Sequence, residues 1–310
     1  MRDVHPRKRI FTVWERQRHR AEFHWAIQCV SEMLGTFMLV YSAIGSQLLW
    51  VLGNIIGGPN PSSKLQIGFG YFCGILFGLT VSSGTSGGHI NPCVTLTFVV
   101  YKGFPPMRAV RYIIAQILGS FFACCLIYVQ YKVMIDQATA VLVQAGTFPG
   151  TQQFTSGGPP SGFALYLGGQ TLGRAFLNEF ITDIYIGFVI WASIDPTNIL
   201  VPPQLAPVVI ALAYAGSYWG FSTAGLSSNT ARDLAAGGPY AAIAALTCIP
   251  ATIVAAGIYE FFLADSDRAV PHASLEYSHI LTNHRRERLK NLDVDNHLNM
   301  PSVSYAKESP

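Results

Sequence analysis

Residues 84–101 read GTSGGHINPCVTLTFVVY, and residues 222–238 read STAGLSSNTARDLAAGG. Each begins as a polar, glycine-bearing stretch and turns helical at an asparagine: Asn91 before Pro92-Cys93, Asn229 before Thr230-Ala231. Asn is a favoured helix cap, and Pro at the first helical position loses no hydrogen bond, because that N–H has no intrahelical partner. Neither stretch is apolar for long enough to cross a bilayer, which takes about 20 residues per helix. Both lie between stretches that are. Each therefore reads as a re-entrant segment, a polar path into the membrane followed by half a helix.

The flanking runs that qualify as spans are 25–51, 65–84, 107–131, 174–194, 203–221 and 240–263. The expected fold class is an all-α membrane protein with six transmembrane helices plus two re-entrant half-helices. Composition supports it. Half of the 310 residues are hydrophobic and only 12% are charged, where soluble domains carry about 25%. Seven of the 20 Lys and Arg lie in residues 1–22 and six in 265–310, leaving seven for the long centre. That distribution excludes a soluble enzyme and a nucleic-acid binder, since neither leaves its centre so uncharged.

Charge also sets the orientation. The basic tail 1–24 and the cluster Lys102, Arg108 and Arg111 are separated by an even number of spans. By the positive-inside rule both face the cytoplasm. Residues 25–264 then form one channel-sized domain. Two repeats, about 25–132 and 174–264, are joined by a Gly-, Pro- and Ser-rich outer loop, 133–173. The tail 265–310 returns to the cytoplasm, mixes charges around HRRERLK, and reads as flexible or weakly helical. The polar N-terminus is no cleavable signal peptide.

The halves match. SEMLGTFMLVY, from Ser31, and LNEFITDIYIGF, from Leu177, each carry an acid early in the helix, Glu32 and Glu179. With three spans per half, the second repeat is inverted, and inverted repeats place a site near the membrane midplane. Irregular backbone at that depth must be buried or line a wet cavity. The carbonyls of Gly87, Gly88 and His89, and of Gly225, Leu226 and Ser227, are the candidates to line it. Asn91 and Asn229 are the candidate midpoint donors, each capping with its oxygen and offering its amide to a solute. Two half-helix N-termini meeting head to head make a positive region that repels cations and admits neutral molecules.

SEMLGTF (31–37), SGGHINPCVT (86–95), YIIAQILGS (112–120) and SSNTARD (227–233), in this order and spacing, resemble the aquaporin, or major intrinsic protein, family, closer to its glycerol-conducting branch. The resemblance covers about 25–264. It implies a homotetramer with one pore per protomer, conducting water, glycerol or other small neutral solutes with no cofactor. It places the selectivity filter at Tyr71, Ser217, Leu226 and Arg232, with Arg232 a lone cation or, alternatively, the plain ion-pair partner of Asp233. Glu32 and Glu179 become acceptors for the N–H groups of the re-entrant loops, with a proton relay as their alternative. Two departures stand out: Cys93 replaces one Ala and Thr230 one Pro of the twofold Asn-Pro-Ala pattern.

His89 reads as a loop brace or, alternatively, a proton sensor; Asp183, a turn after Glu179, receives no role. The six cysteines have no CxxC pair, so a disulfide framework or a zinc site is not expected and packing is. A plasma-membrane location is the expectation. Two rival functions remain at this point, a coupled secondary transporter and a non-conducting adhesion or signalling member. The first needs an ion-binding site, and the departure at Thr230 keeps the second open.

Overall fold

A computed structural model of the chain describes residues 8–18, 21–147, 154–222, 225–236 and 241–279. The expectations for residues 1–7 and for HRRERLK (284–290) lie outside them. After a short α1 (Arg9–Arg18), the first half comprises α2 (Ala21–Ile56), α3 (Lys64–Ser82), α4 (Pro92–Lys102) and α5 (Pro106–Gln130). The connection carries α6 (Lys132–Gln144) and a 3-10 turn, Pro159–Gly162. The second half comprises α7 (Leu172–Ile194), α8 (Ala206–Phe221), α9 (Thr230–Ala236) and α10 (Ala241–Phe262).

By length and composition α2, α3, α5, α7 and α10 are able to cross a membrane. The span expected over 203–221 is shorter. α8 has 16 residues, about 24 Å of helix. Pro202 and Pro203 lack an N–H, and residues 202–205 form a turn closed by the Leu205 N–H on the Pro202 carbonyl at 2.8 Å.

The outer connection also differs from expectation. Residues 133–173 are not all loop, because KVMIDQATAVLVQ forms the 13-residue α6, burying Ala138 and Leu142. The Gly- and Pro-rich composition belongs to the residues between α6 and α7. The 3-10 turn is packed inward against α2: a Cβ on Gly162 would sit 2.3 Å from Leu48 Cδ1.

Helix packing repeats between halves. α2 packs on α3 and α5 as α7 packs on α8 and α10, and each half-helix lies against the last long helix of the opposite half, α4 on α10 and α9 on α5. Close approach depends on small residues, as in membrane helix contacts generally. A Cβ on Gly119 of α5 would come within 2.2 Å of the Met33 carbonyl in α2. Polarity is inverted relative to a soluble protein. Ile114, Phe121, Leu177, Ile181 and Leu246 are exposed, whereas Glu32, Glu179, Asp183, Arg232 and Asp233 are buried. Such a surface fits lipid.

Candidate functional site

The path to α4 turns on Gly87 and Gly88, at φ of 100° and 70°, and on Ile90 at 44°. Asn91 is extended and caps the helix, its Oδ1 accepting the Cys93 N–H at 3.0 Å. Three donors converge on the buried Glu32 carboxylate. Oε1 takes the His89 N–H at 3.0 Å, and Oε2 takes the Ile90 N–H at 2.7 Å and the Gln116 amide at 2.8 Å. These bonds tie the loop to α2 and α5. The His89 ring is wedged among Phe98, Phe104 and Tyr112, with ring centroids 4.6–5.4 Å away, and Nδ1 meets the Thr95 hydroxyl at 3.2 Å.

The second segment follows the same course. Gly225 has φ 103° and Ser228 53°, and Asn229 Oδ1 accepts from Ala231 N–H at 3.0 Å. Both Glu179 oxygens face the Ser227 N–H, at 3.1 and 3.3 Å. Thr230, where the resemblance would put Pro, is tied to α10 by a 2.6 Å bond from its hydroxyl to the Ala245 carbonyl.

The two half-helices meet through reciprocal bonds. Asn91 Nδ2 donates to the Ser228 carbonyl at 2.8 Å, and Asn229 Nδ2 donates to the Ile90 carbonyl at 3.0 Å. Each asparagine thus serves the loop that carries the other. Among the described residues, no protein donor reaches the carbonyls of Gly87, Gly88, His89, Gly225, Leu226 or Ser227. A cavity of about 40 Å³ lies on the first loop's side, lined by Gly88, His89, Ile90 and Tyr214. A larger one, about 180 Å³, opens on the other side and is lined by Gln47, Tyr166, Tyr218, Ser222 and Gly225.

Of the four positions expected to form the filter, Tyr71 and Leu226 share one buried cluster. Ser217 is fully buried, and its hydroxyl has no hydrogen-bond partner among the described residues. Arg232 is 0% exposed, and it is not a lone cation but has the ion pair that was its alternative reading. It pairs with Asp233 through Nη1, Nη2 donates to Gln47 Oε1 at 3.2 Å, and Nε has no partner among the described residues. The reason is local: an uncompensated buried guanidinium is too costly, and the adjacent carboxylate is the nearest relief. Asp233 in turn receives the Ser227 hydroxyl.

The cysteines also depart from expectation. Cys93 and Cys248 form a disulfide, with Cα atoms 6.1 Å apart, joining the start of α4 to α10. The pair is 155 residues apart in sequence, and α4 reaches α10 only through the crossed packing of the halves. Cys29, Cys73, Cys124 and Cys125 are free.

Three lining residues escaped the sequence reading. Gln47 joins the Arg232 guanidinium to the Ser161 carbonyl, the latter at 3.0 Å; a polar amide inside an apolar span was the available signal. Tyr218 stacks on Tyr71 at 5.1 Å, and Tyr214 touches Asn91 at 3.3 Å. Both belong to the stripe Ile210, Tyr214 and Tyr218, whose four-residue spacing puts them on one face of α8.

Comparison with known proteins agrees with this geometry. The family model for Major intrinsic protein matches residues 19–244. An aquaporin of Laccaria bicolor is 49% identical, covering 99% of this chain and 97% of its own. Aquaglyceroporin-2 of Rhizophagus irregularis is 35% identical over 66% of this chain and 61% of its own. The X-ray structure of the aquaglyceroporin from Plasmodium falciparum superposes with a TM-score of 0.62 at 19% identity, covering 77% of this chain and 97% of that one.

Proposed function

The chain belongs to the major intrinsic protein family, and from that premise we propose that it is a passive transmembrane channel, not an enzyme, for water and small neutral solutes such as glycerol, excluding protons and ions. One observation carries the reading: the reciprocal asparagine bonds that hold two half-helix N-termini head to head between two cavities. Aligned helix ends put positive potential at that junction. A cation entering it loses hydration and meets like charge, while a neutral molecule meets only hydrogen-bonding groups.

Roles follow for the lining residues. Tyr71, Ser217, Leu226 and Arg232 form the filter, with Tyr218 stacked beside Tyr71. Ring faces take a carbon skeleton; the guanidinium and the open carbonyls of Gly225 and Ser227 take hydroxyls. Matching both faces of glycerol offsets its lost hydration, since unpaired polar groups are costly inside. Four protomers assemble in the plasma membrane as a homotetramer, with both termini cytoplasmic. Glu32 and Glu179 are engaged by N–H groups of the two loops, and nothing favours a coupled transporter.

The experiment is osmotic. Proteoliposomes holding the full chain should shrink under a sucrose gradient faster than empty vesicles, with no ion gradient, and should reswell in glycerol. Vesicles that behave as empty ones overturn the channel reading. Tyr218→Ala should raise glycerol flux more than water flux, because it removes one of two stacked rings at the filter.

A further inference from the structure

The two asparagines are not equivalent. An amide group has two N–H donors. Asn91 uses both inside the protein, one on the Ser228 carbonyl at 2.8 Å and one on the Tyr214 hydroxyl at 3.3 Å, while its Oδ1 is taken by the Cys93 N–H. Among the described residues Asn229 donates only to the Ile90 carbonyl, which leaves its second donor open. The junction therefore offers a passing molecule one amide donor, not two.

We propose that Tyr214 sets conductance and solute selectivity at the pore midpoint, its phenol oxygen occupying the Asn91 donor until a permeating molecule takes its place. The inference rests on the channel reading above. Tyr214 stands on the cavity-facing stripe of α8, between Ile210, which lines the small cavity with it, and Tyr218 and Ser222, which line the large one. It is 6% exposed, and its hydroxyl is the one protein group that reaches the Asn91 amide from α8 among the described residues. The phenol accepts from Asn91 as a water would. Its own proton is free to turn to the other side, where the buried Asp183 on α7 lies within electrostatic range of it and interacts also with the Ser228 hydroxyl. Tyr214 is in effect a water oxygen tethered to a ring.

Exchange with a mobile water keeps the hydrogen-bond count. Water replaces the phenol as acceptor of the Asn91 N–H, and the displaced hydroxyl keeps its proton for the Asp183 side. A larger solute must also move the ring. The midpoint thus favours water over glycerol, independently of the filter at Tyr71 and Arg232.

A structural brace for Asn91 would behave in the opposite way, since losing it would misalign the donor and lower flux. The test compares the full-length protein, Tyr214→Phe and Tyr214→Val in liposomes at matched protein density, by stopped-flow light scattering. Tyr214→Phe should raise water permeability per protomer by about two- to tenfold, the factor one net hydrogen bond is worth. Tyr214→Val should raise glycerol flux by a larger factor than water flux. Water permeability of Tyr214→Phe at or below that of the unmodified protein overturns the proposal, and so does a gain seen in Tyr214→Val alone. If Tyr214→Phe does not reconstitute, an unchanged glycerol-to-water ratio in Tyr214→Val overturns it. If the unmodified chain and both variants match empty vesicles, the channel reading fails instead.

Discussion

The two re-entrant segments follow nearly the same backbone and are held in place by different chemistry. Four residues before each asparagine stands a glycine, at φ 100° for Gly87 and 103° for Gly225; one residue before it stands a left-handed residue, Ile90 at 44° and Ser228 at 53°. Side chains in the left-handed region are strained, and both loops accept that strain to turn an N–H toward a buried acid. There the likeness ends. Glu32 receives three donors, two from its loop and one from Gln116. Glu179 receives one N–H, and the second loop relies on the Arg232–Asp233 pair, the Ser227 hydroxyl and Gln47. The inverted repeat preserves a path. Each half supports that path with its own side chains, and the first does so by hydrogen bonds where the second uses charge.

The largest test of that contrast removes each acid. Glu32→Ala leaves the N–H groups of His89 and Ile90 and the Gln116 amide without their buried acceptor. At about 1–3 kcal/mol for each orphaned group, the variant should lose several kcal/mol and most of its folded yield. Glu179→Ala orphans one N–H and should cost about 1–3 kcal/mol. Thermal unfolding of the two variants in detergent reads the difference. Equal losses would mean that the second loop depends on Glu179 more than its bonds indicate.

Next in size is the charge pair. Arg232→Val strands Asp233 in a fully buried place, and removing one partner of a buried pair costs about 3–5 kcal/mol. The expected result is a poorly folded protein. Adding Asp233→Asn removes the stranded charge and should restore most of the yield. Only that double variant tests the filter. It should conduct water and also leak protons, measured with a pH-sensitive dye trapped in the vesicles under an imposed potential. A tight double variant that still passes water would assign ion exclusion to the helix ends at Asn91 and Asn229 alone.

Sequence reading recovers what depends on chain order. The polar-then-asparagine pattern locates both half-helices, and the matching acids at Glu32 and Glu179 emerge from overlaying the halves. Orientation around a helix axis is harder. Successive residues of α8 differ by about 100°, so a gapless match to Ser217 does not decide whether it or Tyr218 lines the cavity. Packing of α8 on α3 and α7 sets that rotation. Tyr214 was invisible for the same reason. The Cys93–Cys248 pairing and the Gln47–Arg232 bond join residues 155 and 185 apart, and only the crossed docking of the halves brings them together. α6 was hidden by averaging: the Gly and Pro content of its neighbours masked an apolar helix.

The smallest expected effect lies at position 230, where the halves differ by Pro92 against Thr230. Proline stiffens the first helical turn by limiting the unfolded chain, an effect of about 0.4–1 kcal/mol where the backbone already fits. Threonine reaches a similar end by another route, through its 2.6 Å bond to the Ala245 carbonyl and its contacts at 3.1 Å with the sulfurs of Cys93 and Cys248. A hydrogen bond of this kind is worth about 1 kcal/mol net. Thr230→Val, which keeps the shape and loses the bond, should therefore melt below the unmodified protein by about that amount. Thr230→Pro loses the same bond and regains most of it from the chain, so its melting point should lie close to the original, with water flux unchanged. The N–H that proline deletes has no partner within the helix, since it belongs to the first turn. If Thr230→Pro melts well below Thr230→Val, the second half-helix does not begin with the backbone geometry of the first. The likeness of the two loops would then stop at their asparagines.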